Sequence, residues 1–264
     1  MLGEGPDRNA RALGFRVLGL GIAFLAIVCL VWRIFDPGQS VPDDLPAHDM
    51  LAVLVAAFLL LAGLAIEWSK TIVWASAALV VFYFGFAVFL MNGWNILQNL
   101  RVYGAYSNTA EQLAIAAGVL VVYASNADAA RRYTSVMIRA GQITFGICAV
   151  LFGGAHFVYM NLTVYLVPAW LPPSQVFWGY ATGVFHIAGG LAIIAGVRAR
   201  LAATLLTIMY ALFTPLALLP QLVADPSHSR WWTEIALNIV LTGATWAVRD
   251  SLTDRPLKGT LQAG

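Results

Sequence analysis

The sequence predicts an all-α polytopic membrane protein, with eight transmembrane helices arranged as two parallel-repeated four-helix bundles. Three observations carry that expectation: apolar runs long enough to cross a bilayer, a basic bias that alternates from loop to loop, and an echo of the first half in the second. Of 264 residues, 60% are hydrophobic and only 11% are charged. A soluble domain carries about 25% charged residues. No basic cluster is interleaved with aromatics, which leaves nucleic-acid binding without support.

Roughly 20 helical residues span about 30 Å. The first run, 13–35, ends in "LVWRIFDPG" with no small-residue cleavage site behind it, so it reads as a retained signal anchor. "DPGQSVPDDLP" breaks the chain before the second run, 50–66. A short turn at Lys70 leads to the third, 71–92, which leaves through "NGWNILQNLRVYGAYSN". The fourth, 109–125, opens on "NTAE" and closes before "SNADAARR". The fifth covers 138–160, and "VPAWLPPSQ" separates it from the sixth, 177–196. A turn with Arg198 and Arg200 precedes the seventh, 201–223, and "ADPSHSR" precedes the eighth, 232–249. No strand pattern occurs.

Charge sorts with this count. Arg8, Arg11, Arg16, Lys70, Arg131, Arg132, Arg139, Arg198, Arg200, Arg249, Arg255 and Lys258 fall on one side, 12 of the 15 basic residues. Only Arg33, Arg101 and Arg230 fall on the other. Basic loops stay cytoplasmic, so both termini are expected inside a bacterial-type inner membrane. The opposite face carries Asp36, Asp43, Asp44, Asp49, Glu111, Asp225 and Glu234.

The halves echo each other. "AGLAIEWSKTIVWASAAL" resembles "AGGLAIIAGVRARLAATLL", and "TAEQLAIAAGVLVVYASNAD" resembles "WWTEIALNIVLTGATWAVRD", which sets Glu111 opposite Glu234. The expected units are 1–128 and 129–264. Both copies start on the same side, unlike the inverted repeats of many alternating-access transporters.

Four residues form the candidate ligand site: His186, His156, Thr182 and Tyr159. On a helix, His186 shares a small-residue stripe with Gly179, Thr182, Gly183, Gly189, Gly190 and Ile193, while Val184, Phe185, Ile187 and Leu191 lie opposite. It is therefore expected to face the bundle. By rise per residue, His156 lies within one or two turns of it in depth. An ionisable group inside a membrane is a functional hypothesis by default. The open chemistries are a proton relay, a hydrogen bond to a quinone carbonyl and bis-imidazole haem ligation, against a bland reading as interhelical packing.

Other residues have plainer expectations. Glu111 and Glu234 read as first-turn caps, or as an acidic rim at a ligand's entrance. Asn92, Asn95, Gln98 and Asn99 read as a hydrated re-entrant turn, or as a polar mouth. "DDLPAHD" is a weak divalent-cation candidate, and His228 is expected to be solvated. Trp170, Trp178, Trp231 and Trp232 suit an interfacial belt, and Arg198 and Arg200 suit anionic lipid. Cys29 and Cys148 read as small buried hydrophobes, and no zinc spacing or dinucleotide pattern occurs.

"HFVYMNLTVYLVPAWLPPSQVFWGYATGVFHIAGGLAIIAGVRARLAATLL" resembles the DoxX-like integral membrane proteins. The likeness lies in the P-x-W-L-P turn, the aromatic-Gly-Tyr-x-Thr-Gly helix and the basic turn leading to "LAA". It covers roughly 138–250, and reaches 13–128 only through the repeat. It implies a membrane subunit or anchor of a quinone-linked redox system, with a soluble redox protein as partner. A small-molecule or lipid permease and a ligand-free assembly protein are the alternatives. The lipid bilayer is the other expected partner, and a second copy of the chain stays an open one.

Overall fold

The structure is a computed structural model that describes residues 6–252, with side chains described from Leu13 onward. The side chains of Arg8 and Arg11, together with Arg255 and Lys258, lie outside the described residues. Those described form nine helices and no strand. They are α1 (Pro6–Trp32), α2 (His48–Ala65), α3 (Ile72–Gln98), α4 (Tyr103–Asn126), α5 (Arg131–Val158), α6 (Met160–Leu166), α7 (Gln175–Ala195), α8 (Ala199–Ala224) and α9 (Ser229–Ser251). Helix α3 is π-wound over Val81–Asn92, and α8 over Thr214–Leu218.

Six of these helices are long and apolar enough to cross a membrane: α1 from Leu13, α2, α3, α5, α7 and α8. Their outward faces carry large apolar side chains; Leu61, Trp74, Phe89 and Val223 are each at least 70% exposed. This is the pattern of a multi-pass membrane protein. Helices α4 and α9 are the two expected spans outside that set. Both are long, yet they carry Glu111, Gln112, Glu234 and Asn238. Their position explains their polarity, because thirteen residues of each are buried. A helix enclosed by protein need not be apolar on every side.

Packing interlocks the halves. Helix α1 lies against α2 and α9, α5 lies against α7 and α4, and α4 meets α9. Between α4 and α9, a Cβ on Gly118 would fall 2.6 Å from the Ala244 Cβ. Small residues thus let backbones touch, which is how helices associate where lipid offers no hydrophobic advantage to burial.

Several basic residues meet at one end of the bundle. Arg139, just over two turns into α5, donates to the Ile193 and Ile194 carbonyls that close α7, where a cation complements the helix dipole. Gln142 donates to the Ser251 carbonyl, Arg249 reaches Thr204 Oγ1, and Arg16 interacts with Glu67. Several expected boundaries move. Helix α1 stops at Trp32, so Phe35 and Asp36 fold inward and are buried. Helix α4 starts six residues early, because Val102 is extended and the helix runs unbroken through "NTAE". The loop after α5 holds the extra helix α6.

Candidate intramembrane histidine site

Helices α5 and α7 cross at Gly153 and Gly183. A Cβ on Gly153 would sit 2.6 Å from the Gly183 carbonyl oxygen, and one on Gly183 would sit 3.0 Å from the His156 Cβ. That approach brings His156 and His186 together, with ring centroids 5.1 Å apart and planes tilted by 37°. His186 is 2% exposed and shares its buried face with Gly179, Gly183, Gly189, Gly190 and Ile193. Val184, Phe185 and Leu191 point outward.

The hydrogen bonds set the tautomers. His186 Nδ1 lies 2.8 Å from the Thr182 carbonyl, which can only accept, so Nδ1 carries the hydrogen. Thr182 Oγ1 donates to the Trp178 carbonyl at 2.8 Å, and so accepts from His156 Nδ1 at 3.0 Å. Each neutral ring then presents Nε2 as a hydrogen-bond acceptor. Around His186 stand Tyr210, edge-on at 5.3 Å, and Phe152 and Phe213, each at 6.2 Å. The Tyr210 hydroxyl is buried without a hydrogen-bond partner.

Tyr210 sits where α8 turns π-helical. Pro215 has no N–H to return to the Tyr210 carbonyl five residues back. Asn238 Nδ2, from α9, supplies that donor at 2.8 Å and also reaches Thr214 Oγ1 at 2.8 Å. The central helix thus holds the aromatic wall in place.

Haem does not fit here. Two imidazoles binding one iron need a porphyrin-thick slot between the rings. The rings face each other at 5.1 Å, and the backbones touch one turn away at Gly153 and Gly183.

The other candidates go elsewhere. Tyr159 closes α5 and turns toward α4, where its hydroxyl accepts from the Gly104 N–H at 2.8 Å. Glu111 and Glu234 are not first-turn caps; Glu111 lies more than two turns into α4, and Glu234 pairs with Arg230 at 3.7 Å in the second turn of α9. Asn92 is fully buried, and donates to the Gly38 and Ala87 carbonyls while accepting from Ser40 Oγ. Asn95 donates to Ser40 Oγ and accepts from Asn99. Asn92 and Asn95 therefore grip the 36–40 segment from a continuous helix rather than a re-entrant turn. His48 stands against Phe35 and Asp49, and His228 caps α9 by accepting from the Arg230 N–H.

Sequence reasoning missed Tyr210, Phe152, Phe213, Asn238, Asp36, Gln39 and Gln112. Only Tyr210 had a usable signal, as a phenol inside an apolar run. No family model, curated protein or solved structure matches the chain.

Proposed function

We propose that the chain is an eight-span, DoxX-like membrane subunit of a quinone-linked redox system, holding a quinol at His156 and His186. A quinol hydroxyl donates to an imidazole Nε2, and a quinone or quinol oxygen accepts from the Tyr210 hydroxyl. The observation that carries this reading is the pair of Nδ1–H groups committed to α7, which leaves an acceptor on each of two rings 5.1 Å apart, with the unpartnered Tyr210 ring edge-on to His186. A soluble redox protein is the expected electron acceptor, and the loop charge bias supports both termini being cytoplasmic.

The internal repeat weighs against mere packing. Gly19 would press on Gly63 as Gly146 presses on Gly190, and Tyr83 and Tyr210 are the two buried, unpartnered tyrosines. Each pair is separated by the same interval along the chain. At that interval Cys29, Leu59 and Val55 stand where the second half has His156, His186 and Thr182, and Glu111 matches Asn238 rather than Glu234. The first half thus fills these positions with apolar side chains. The fold alone does not call for imidazoles there.

The test is an oxidised and a reduced absorbance spectrum, with mass analysis of an organic extract, on protein purified in mild detergent. The expected result is near-stoichiometric isoprenoid quinone in the native protein, lost in His186→Leu while the thermal midpoint stays within a few degrees. A quinone-free native protein overturns the proposal.

A further inference from the structure

At the end of the bundle opposite the arginine-rich one, the segment Asp36-Pro37-Gly38-Gln39-Ser40 folds inward. Asp36 is 2% exposed and Gln39 is 4% exposed. Asp36 Oδ1 accepts from the Gly38 N–H at 3.0 Å, and Oδ2 accepts from Gln112 Nε2 at 2.8 Å. Gly38 is required by this approach, because a Cβ there would strike Gln112 Nε2 and lie 3.2 Å from Glu111 Oε2. Glu111 and Glu234 lie close enough to Asp36 to repel it.

This cluster has a surplus of lone pairs. The Oε1 atoms of Gln39 and Gln112 are buried without a donor, and the Gln39 Nε2 is buried without an acceptor. Gln39 and Asp36 line one narrow cleft with Cys29, Phe35, Ala52 and Leu59. Arg230 pairs with Glu234, but among the described residues no lysine or arginine pairs with Asp36 or Glu111. A buried carboxylate without a counter-charge is costly, and so is a buried amide oxygen without a donor. Carboxylate and carbonyl oxygens together are ligands for hard cations.

We propose that Asp36, Gln39 Oε1 and Gln112 Oε1 form a binding site for a small alkali cation, with Glu111 supplying a second negative charge. The site is independent of the imidazole pair. The elements around it agree with a single cation. Helix α4 offers Glu111 and Gln112, α9 offers the Arg230–Glu234 pair, and α3 offers Tyr83. The end of α1 offers Cys29, and α2 contributes only apolar side chains. Each repeat-related half would then carry its own ligand, imidazole-bound in one and oxygen-bound in the other.

The test is thermal unfolding of the full chain in detergent at pH 7.5, with sodium or potassium replacing choline at constant ionic strength. The expected result is a saturable rise of about 5 °C at a hundredfold excess over half-saturation. Asp36→Asn should abolish the rise. Gln39→Leu, which removes an unpartnered amide and should fold, is expected to raise the half-saturating concentration at least tenfold. A midpoint that follows ionic strength alone, or an unchanged half-saturation in Gln39→Leu, overturns the site. Neither readout depends on bound quinone.

Discussion

Gly153→Ala should wedge α5 from α7 and disarm the histidine site without touching either imidazole. The new Cβ would lie 2.6 Å from the Gly183 carbonyl oxygen and 2.5 Å from Ile187 Cγ1, where ordinary contact begins at 3.4 Å. The isoleucine end can swing aside, but the carbonyl belongs to helix backbone. The helices must therefore part by roughly 0.8 Å, an overpacking strain of about 1–3 kcal/mol. The same movement stretches the 3.0 Å bond between His156 and Thr182 beyond hydrogen-bond range. For a chain of this length each kcal/mol lowers the midpoint by about 2–4 °C, so a fall of about 2–12 °C is expected. Tryptophan fluorescence during heating in detergent measures it, and extraction of bound quinone measures the loss at the site. Gly85→Ala is the control, because nothing lies within 4 Å of its added Cβ. If Gly153→Ala melts with the native protein and keeps its quinone, the close crossing does not position the imidazoles.

Thr182→Val keeps the side-chain volume but removes the acceptor for His156 Nδ1. Quinone retention should fall about five- to tenfold while stability changes by less than about 1 kcal/mol, since one hydrogen bond contributes about that much. Asn238→Leu leaves the Tyr210 carbonyl without its donor, and should cost about 1–3 kcal/mol in thermal or denaturant unfolding. Burial raises the pKa of Asp36 above its ordinary 3.8, against the pull of its bonds from Gly38 and Gln112. Without alkali cation, its contribution to stability is complete below about pH 4 and is lost as pH rises through the raised value. Asp36→Asn should flatten that part of a midpoint-against-pH curve, and an unchanged slope would assign it to another group.

Long apolar runs and loop-by-loop charge are legible from residues alone, because each reflects a local choice between lipid and water. So is the His186 stripe, since a helix of known period carries glycine on the same side as the imidazole. Depth along two helices even brought His156 level with His186. The same local reasoning misplaced Glu111. "NTAE" has the composition of a helix start, yet α4 begins at Tyr103, and the carboxylate ends beside Gly38 of a distant loop.

Tertiary packing decided the rest. Helices α4 and α9 fall outside the six apolar helices because hydropathy counts every face, whereas thirteen residues of each are buried against the other helices. The Tyr210 wall, the Asn238 donor and the inward fold of Asp36 depend on contacts between residues far apart in the chain. No residue-by-residue property encodes such contacts. Periodicity shows which face of α7 is small; only the crossing at Gly153 and Gly183 brings two imidazoles into one place.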